Sequence, residues 1–145
     1  DIGFGRTGFP TDGVRAWLDT NPSDFILLHA GTNDFFATTE FDIEAILDEI
    51  DLWEDSANGN PVTVLLALII NWVPTNPVIP AFNSSVQAMA NSRIATGDDI
   101  VIVNQHDALT YPDDMEDLLH PTAVGYGKMA GAWFNALTNV VDKRP

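Results

Sequence analysis

Apolar residues fall along this chain in two alternating kinds of run. Residues 24–31 (DFILLHAG), 62–70 (VTVLLALII) and Ile100–Asn104 (IVIVN) are short, unbroken and of strand length. They do not alternate with polar residues, which predicts strands buried on both faces. Between them the apolar positions change to helical spacing. Ile43, Ile46, Leu47, Ile50 and Trp53 make one face of a helix over 41–53. Residues 81–95 make another, with Phe82, Val86, Met89 and Ala90 inward, and 121–137 a last one, with Pro121 in its first turn. Gly125, Gly127, Ala130 and Gly131 are expected to let that helix pack closely. A short helix is expected over 12–19. Residues 1–13 and 107–119 read as loops, 58–61 as a turn, and 71–80, with three prolines, as neither helix nor central strand.

Strands alternating with helices predict an α/β class with a parallel sheet. In such sheets ligands bind beyond the carboxyl ends of the strands. The segments expected at that edge are Gly31-Thr32-Asn33-Asp34, residues 71–80 and residues 107–120.

Composition narrows the function classes. The chain has 145 residues, 46% of them hydrophobic, which suits one globular domain over 1–145 with a sizeable core. Its net charge of −15 repels phosphate backbones and anionic lipid, so nucleic-acid and membrane-surface roles are not expected. It has no cysteine, which excludes disulfides and thiolate chemistry. No apolar run reaches the roughly 18 residues of a membrane span. The chain starts at Asp1 rather than Met, from which an upstream part is expected to have been removed.

Three features of the expected edge carry chemistry. Asp117-Leu118-Leu119-His120 precedes a helix, and three residues' separation in a turn can bring a carboxylate to an imidazole. The carboxylate then fixes the tautomer and stabilises the imidazolium. Asn33, at a strand end, can aim its amide at a developing oxyanion, where one donor is worth about 3–4 kcal/mol. Gly8, in the leading loop, allows a backbone N–H close to the same oxygen. Blander roles compete with these. Asn33 and Asp34 can simply cap a turn, and His120 can be an ordinary helix-start residue. His29 reads as a satisfied core residue. His106 beside Asp107 imitates a dyad without other support. Phe9, Phe35, Phe36 and Trp72 suit a pocket or a core equally. The acidic run 112–117 lacks calcium-loop spacing and reads as a solvated loop, and no metal site is expected.

The segments HAGTND and DLLHPTAVGYGKMAGAWFNAL resemble the third and fifth blocks of the SGNH, or GDSL-type, hydrolase superfamily, and GRTGFPTDGVRAWLD resembles its glycine-bearing second block. The wording is most similar to the branch with acetyl-xylan-type carbohydrate esterases. The resemblance implies a flavodoxin-like three-layer α/β/α sandwich. It implies that His120 is the general base, Asp117 its orienting acid, and Asn33 and Gly8 (rather than Gly5 or Gly13) oxyanion donors, with no cofactor. The substrate would be a carbohydrate or other short-chain ester, and a secreted or extracellular setting is expected.

One block is missing. The superfamily's nucleophile is the Ser of a Gly-Asp-Ser block, which precedes the glycine block, and no such sequence occurs here. None of Ser23, Ser56, Ser84, Ser85 and Ser92 follows a strand in that context. The implied sheet has strand order 2-1-3-4-5, of which this chain would supply only the last three strands, 24–29, 62–70 and 100–104. Two expectations follow. Either an N-terminal fragment bearing the Ser pairs noncovalently beside 25–29, or the chain self-associates through that edge and hydrolyses nothing. The rival is a nucleophile-less ligand-binding domain.

Overall fold

The computed structural model describes residues 13–33 and 37–141. Along the chain run α1 (Val14–Thr20), β1 (Phe25–Leu28), α2 (Glu40–Glu54), β2 (Thr63–Leu68), α3 (Val78–Thr96), β3 (Ile100–Asn104) and α4 (Ala123–Val141). The strands form a parallel sheet in the order β1-β2-β3, with Leu27 opposite Leu65 and Leu65 opposite Val101. The fold class is therefore the α/β arrangement expected from the alternation of periods.

Strand residues divide between two faces because successive side chains point to opposite sides. Leu28, Val64, Leu66, Leu68 and Ile100 join one core with Leu18 of α1, the stripe Ile43, Ile46, Leu47, Ile50 and Trp53 of α2, and Ile79, Phe82, Val86 and Ala90 of α3. Leu65 and Ala67 are buried too, but on the other face, where α4 lies against β2 and β3. The layers are thus α1–α3, sheet and α4. Arg93 of α3, only 13% exposed, clamps the helical layer: it bonds Asp48 (2.6 Å), Asp51 and Asp98 (2.5 Å).

Several boundaries differ from the sequence expectation for identifiable reasons. Helix α3 starts at Val78, inside the segment read as non-helical. Pro80 is tolerated because it occupies the first turn, where its missing N–H has no helical partner to lose. Strand β2 stops at Leu68, and Asn83 of α3 takes over its pairing: Oδ1 accepts the Ile69 N–H and Nδ2 donates to the Ile69 carbonyl, both at 2.8 Å. Helix α4 starts after Pro121, which instead bridges Met115, and runs on to Val141. Of its small residues only Gly125 is in close contact; a Cβ at Gly127 or Gly131 would meet nothing within 4 Å.

Strand β1 pairs with β2 alone among the described residues, the edge position expected where only the last three strands are supplied, and Leu27, 48% exposed, departs from the burial on both faces that the unbroken run predicts.

Candidate active site

The segment between β3 and α4 is a built structure, contrary to its reading as a solvated loop. Asp114 is 4% exposed; its carboxylate accepts the Lys128 ammonium at 2.5 Å and the Thr110 N–H at 2.6 Å. Its carbonyl accepts the Thr122 N–H at 2.7 Å. Met115 bridges Pro121 in antiparallel fashion, and the Glu116 N–H donates to the His120 carbonyl at 2.8 Å. Residues 117–120 therefore form the tip of a closed hairpin, anchored at its base to α4. Gly125 permits that anchorage, since a Cβ there would fall 2.4 Å from the Asp114 carbonyl oxygen.

At the tip, Asp117 Oδ1 accepts the N–H groups of Leu119 and His120, each at 2.7 Å, and Oδ2 lies 2.8 Å from His120 Nδ1. Short Asp side chains form such local turns readily. The Leu119 N–H first, then the imidazole and the His120 N–H, hold the Asp117 carboxyl down to about 2. With Nδ1–H donated to that carboxylate, the neutral ring presents Nε2 as its basic nitrogen. His120 is 65% exposed, and no hydrogen bond among the described residues occupies Nε2.

His106 and Asp107, after β3, make a second imidazole–carboxylate contact at 2.8 Å. Asp107 also accepts from Asn104 Nδ2 at 2.8 Å, and the His106 hydrogen bond is the main reason its carboxyl is held low. Here, however, Nε2 is buried, so the ring has no open nitrogen to offer a substrate. The ring instead packs tilted against Tyr111.

The turn after β1 explains its sequence. Gly31 has φ 109°, in the region that disfavours side chains, and a Cβ there would lie 2.9 Å from Phe82 Cζ. Glycine thus ends the strand against α3, and the chain turns through Thr32 to Asn33, which is exposed at the carboxyl edge of the sheet. His29, read as a satisfied core residue, is half-buried just past the strand. Its Nε2 has no hydrogen-bond partner among the described residues, and burial lowers its pKa. Gly8, Phe9, Asp34, Phe35 and Phe36 lie outside the described residues. The structure thus brings Asp117 and His120 together and places Asn33 on the same sheet edge.

Residues 71–80, expected at this edge, flank the hairpin; the sequence reading gave Asn71 no role there. Asn71, 3% exposed, accepts the Trp72 and Asn76 N–H groups on Oδ1 at 2.8 and 2.9 Å, and its own N–H donates to the Tyr111 hydroxyl at 2.8 Å. The Val73 N–H donates to the Leu118 carbonyl at 3.0 Å. These bonds join the β2–α3 loop to the hairpin and leave between them a groove of about 440 Å³, walled by Trp72, Val73, Pro74, Pro77, Leu118 and Leu119. Trp72 both lines this groove and packs on the main core, so its two sequence readings hold together. The signal was available: an Asn at a strand end beside proline-fixed backbone needs its amide to close the loop.

No protein-family model and no curated protein matches the chain. Its structure does match solved ones. A carbohydrate esterase family 3 from Talaromyces cellulolyticus aligns with TM-score 0.73 and 17% identity over 92% of this chain. An acetyl esterase, a serine-to-alanine mutant with acetate ion, aligns with TM-score 0.75 and 19% identity over 90%. A Clostridium thermocellum family 3 carbohydrate esterase aligns with TM-score 0.67 and 18% identity over 89%. The chain has the α/β fold of these esterases and spans 66%, 65% and 63% of their respective lengths.

Proposed function

We propose that the chain supplies the base, acid and oxyanion side of a serine ester hydrolase acting on an O-acetylated carbohydrate or another short-chain ester. The observation that carries this reading is the Asp117–His120 pair: a carboxylate fixed by two backbone N–H groups, 2.8 Å from an imidazole whose far nitrogen is open. The fold shared with two carbohydrate esterases and an acetyl esterase supports it.

The chemistry runs as acyl transfer. A serine hydroxyl gives its proton to His120 Nε2 as its oxygen attacks the ester carbonyl carbon. The Asn33 amide, the Gly8 N–H and the serine's own N–H take the oxyanion. Collapse expels the alcohol, which receives the proton from His120. Water, deprotonated by the same nitrogen, then releases the acid. Asp117 stays ionised throughout and steadies the imidazolium. The apolar groove beside Leu118 offers a wall for part of the ester. No cofactor takes part.

The serine belongs to an N-terminal segment beyond these 145 residues in this reading. All five serines of the chain lie elsewhere: Ser23 precedes β1, Ser56 lies in the turn before β2, and Ser84, Ser85 and Ser92 are in α3. The same observation favours a second reading, a binding domain that keeps the pocket without a nucleophile. The polypeptide produced with its upstream sequence separates the two. The esterase reading expects turnover of 4-nitrophenyl acetate and acetylated xylo-oligosaccharide, lost on the order of 10⁶-fold in His120→Ala. Binding without turnover supports the second reading, and turnover that survives His120→Ala overturns the first.

A further inference from the structure

The groove beside His120 is more apolar than acyl transfer requires. Trp72, Val73, Pro74, Pro77, Leu118 and Leu119 wall it, and among the described residues no charged side chain does. Most of the backbone N–H groups around it serve other partners. Pro74 and Pro77 have none to offer. The Trp72 and Asn76 N–H groups donate to Asn71 Oδ1, the Val73 N–H to the Leu118 carbonyl, and the Leu119 N–H to Asp117 Oδ1. Asn76 Oδ1 accepts the Val78 N–H at 3.0 Å. The two walls thus bond to each other and to their own loops. A sugar ring seated there would give up water for few partners, which disfavours its burial; a hydrocarbon chain has nothing to lose.

Acyl transfer decides which part of an ester lies in this groove. In the proposed mechanism the oxyanion is directed to Asn33, and the leaving oxygen to His120 Nε2, which returns the proton to it. Water later approaches by that same route, so this side must open to solvent while the acyl group stays held. His120, 65% exposed at the hairpin tip, marks the open side. The acyl chain takes the remaining direction. The groove starts at the imidazole, since Leu118 and Leu119 immediately precede it, and its other wall is the loop after β2, the neighbour of the strand that leads to Asn33. At about 440 Å³ it far exceeds an acetyl methyl, which fills roughly the 30 Å³ of one water.

We propose that the groove is an acyl-chain site, and that the preferred substrates are neutral esters of unbranched aliphatic acids of about four to eight carbons, at roughly one water's volume per methylene. The net charge of −15 adds to the uncharged walls in favouring a neutral ester. Each methylene moved from water into the groove should raise kcat/KM about fourfold, so an acetate ester is the slow member of its series. That the groove holds an aliphatic chain rests on its walls; that this chain is the acyl part of an ester rests on the proposed function.

Two measurements on the polypeptide produced with its upstream sequence test this. In the first, the methyl NMR signals of Val73, Leu118 and Leu119 are followed during titration with hexanamide and with acetamide, neutral amides of a longer and a shorter acyl group. Hexanamide should shift them at concentrations at least about tenfold lower, and Val73→Trp, which fills the groove, should abolish that difference at Leu118 and Leu119. In the second, kcat/KM is compared along 4-nitrophenyl esters from acetate to hexanoate and along alkyl acetates from methyl to hexyl. The acyl series should rise at least about tenfold and the alkyl series stay within about threefold, and Val73→Trp should lower the hexanoate-to-acetate ratio at least about fivefold. Equal shifts by the two amides overturn the proposal, as does a ratio that Val73→Trp leaves untouched. A rise along the alkyl acetates in place of the acyl series also overturns it, by making the alcohol the occupant. Hexanamide binding without turnover of any ester sinks the esterase reading only. Turnover of acetate esters with no gain in binding or rate for the longer chain sinks this inference only.

Discussion

Asp117 does two jobs with its two oxygens, one on the backbone of Leu119 and His120 and one on the imidazole. Its carboxyl is lowered to about 2 from the model-compound value of 3.8, so the folded state prefers it ionised. Its contribution to the hairpin is then fully present above pH 3.8 and is lost as pH falls through about 2. A carboxyl-carbon NMR titration should give Asp117 a midpoint near 2, with the Leu119 and His120 amide shifts following it. A midpoint near an ordinary carboxylate would mean that these bonds are not made in solution. At Gly31 the sequence was legible for a different reason: an apolar run ending in Gly-Thr-Asn announces a turn, and the positive φ and the Phe82 contact supply the cause. Gly31→Ala should cost about 1–3 kcal/mol in urea unfolding, the range for a strained backbone conformation. The pairing of Asp117 with His120 was equally legible, because three-residue spacing in a turn is a local property. The burial of Asp114 was not. It depends on Lys128 fourteen residues away, and the run of acidic residues around it suggested solvent.

At the scale of elements, the sequence pattern identified the strands and helices of the described residues but misplaced ends, because ends are decided by partners distant in sequence. Asn83 is the clearest case. From α3 it bonds both backbone groups of Ile69, and so fixes where β2 stops and the groove-lining loop starts. Asn83→Leu leaves two buried backbone groups without partners, at 1–3 kcal/mol each, so a loss of about 3 kcal/mol is expected in denaturant unfolding. Arg93 fastens α3 to α2 through Asp48 and Asp51 and also holds Asp98 just past its own helix, the three carboxylates being 25–59% exposed. Arg93→Met should cost about 1–2 kcal/mol, less than for a fully buried pair because water screens the carboxylates left behind. The hairpin and α4 behave as one unit through Gly125. Gly125→Ala should displace the Asp114 carbonyl and with it the tip, lowering turnover in the upstream-extended polypeptide while leaving Thr39-to-Glu54 amide shifts in place. A perturbed α2 with an intact hairpin would show that the coupling runs elsewhere.

For the molecule as a whole, the three-stranded sheet places Asn33, the groove and the Asp117–His120 tip on one edge, in the order of its strands. Fold class was readable from the alternation of strand-length and helix-spaced runs. The run around Leu27 says only that a strand is meant for burial and not what buries it; the open edge at 25–29 was legible instead from the missing Gly-Asp-Ser block. The proposed function stands on His120 activating a serine from outside these 145 residues. The most direct measurement is labelling of the upstream-extended polypeptide with a fluorophosphonate, with the modified residue located by mass spectrometry. One labelled serine, preceding Gly8 in the chain, is expected, with loss of that label in His120→Ala. Absence of any label, or a label on Ser23, Ser56, Ser84, Ser85 or Ser92, would contradict it.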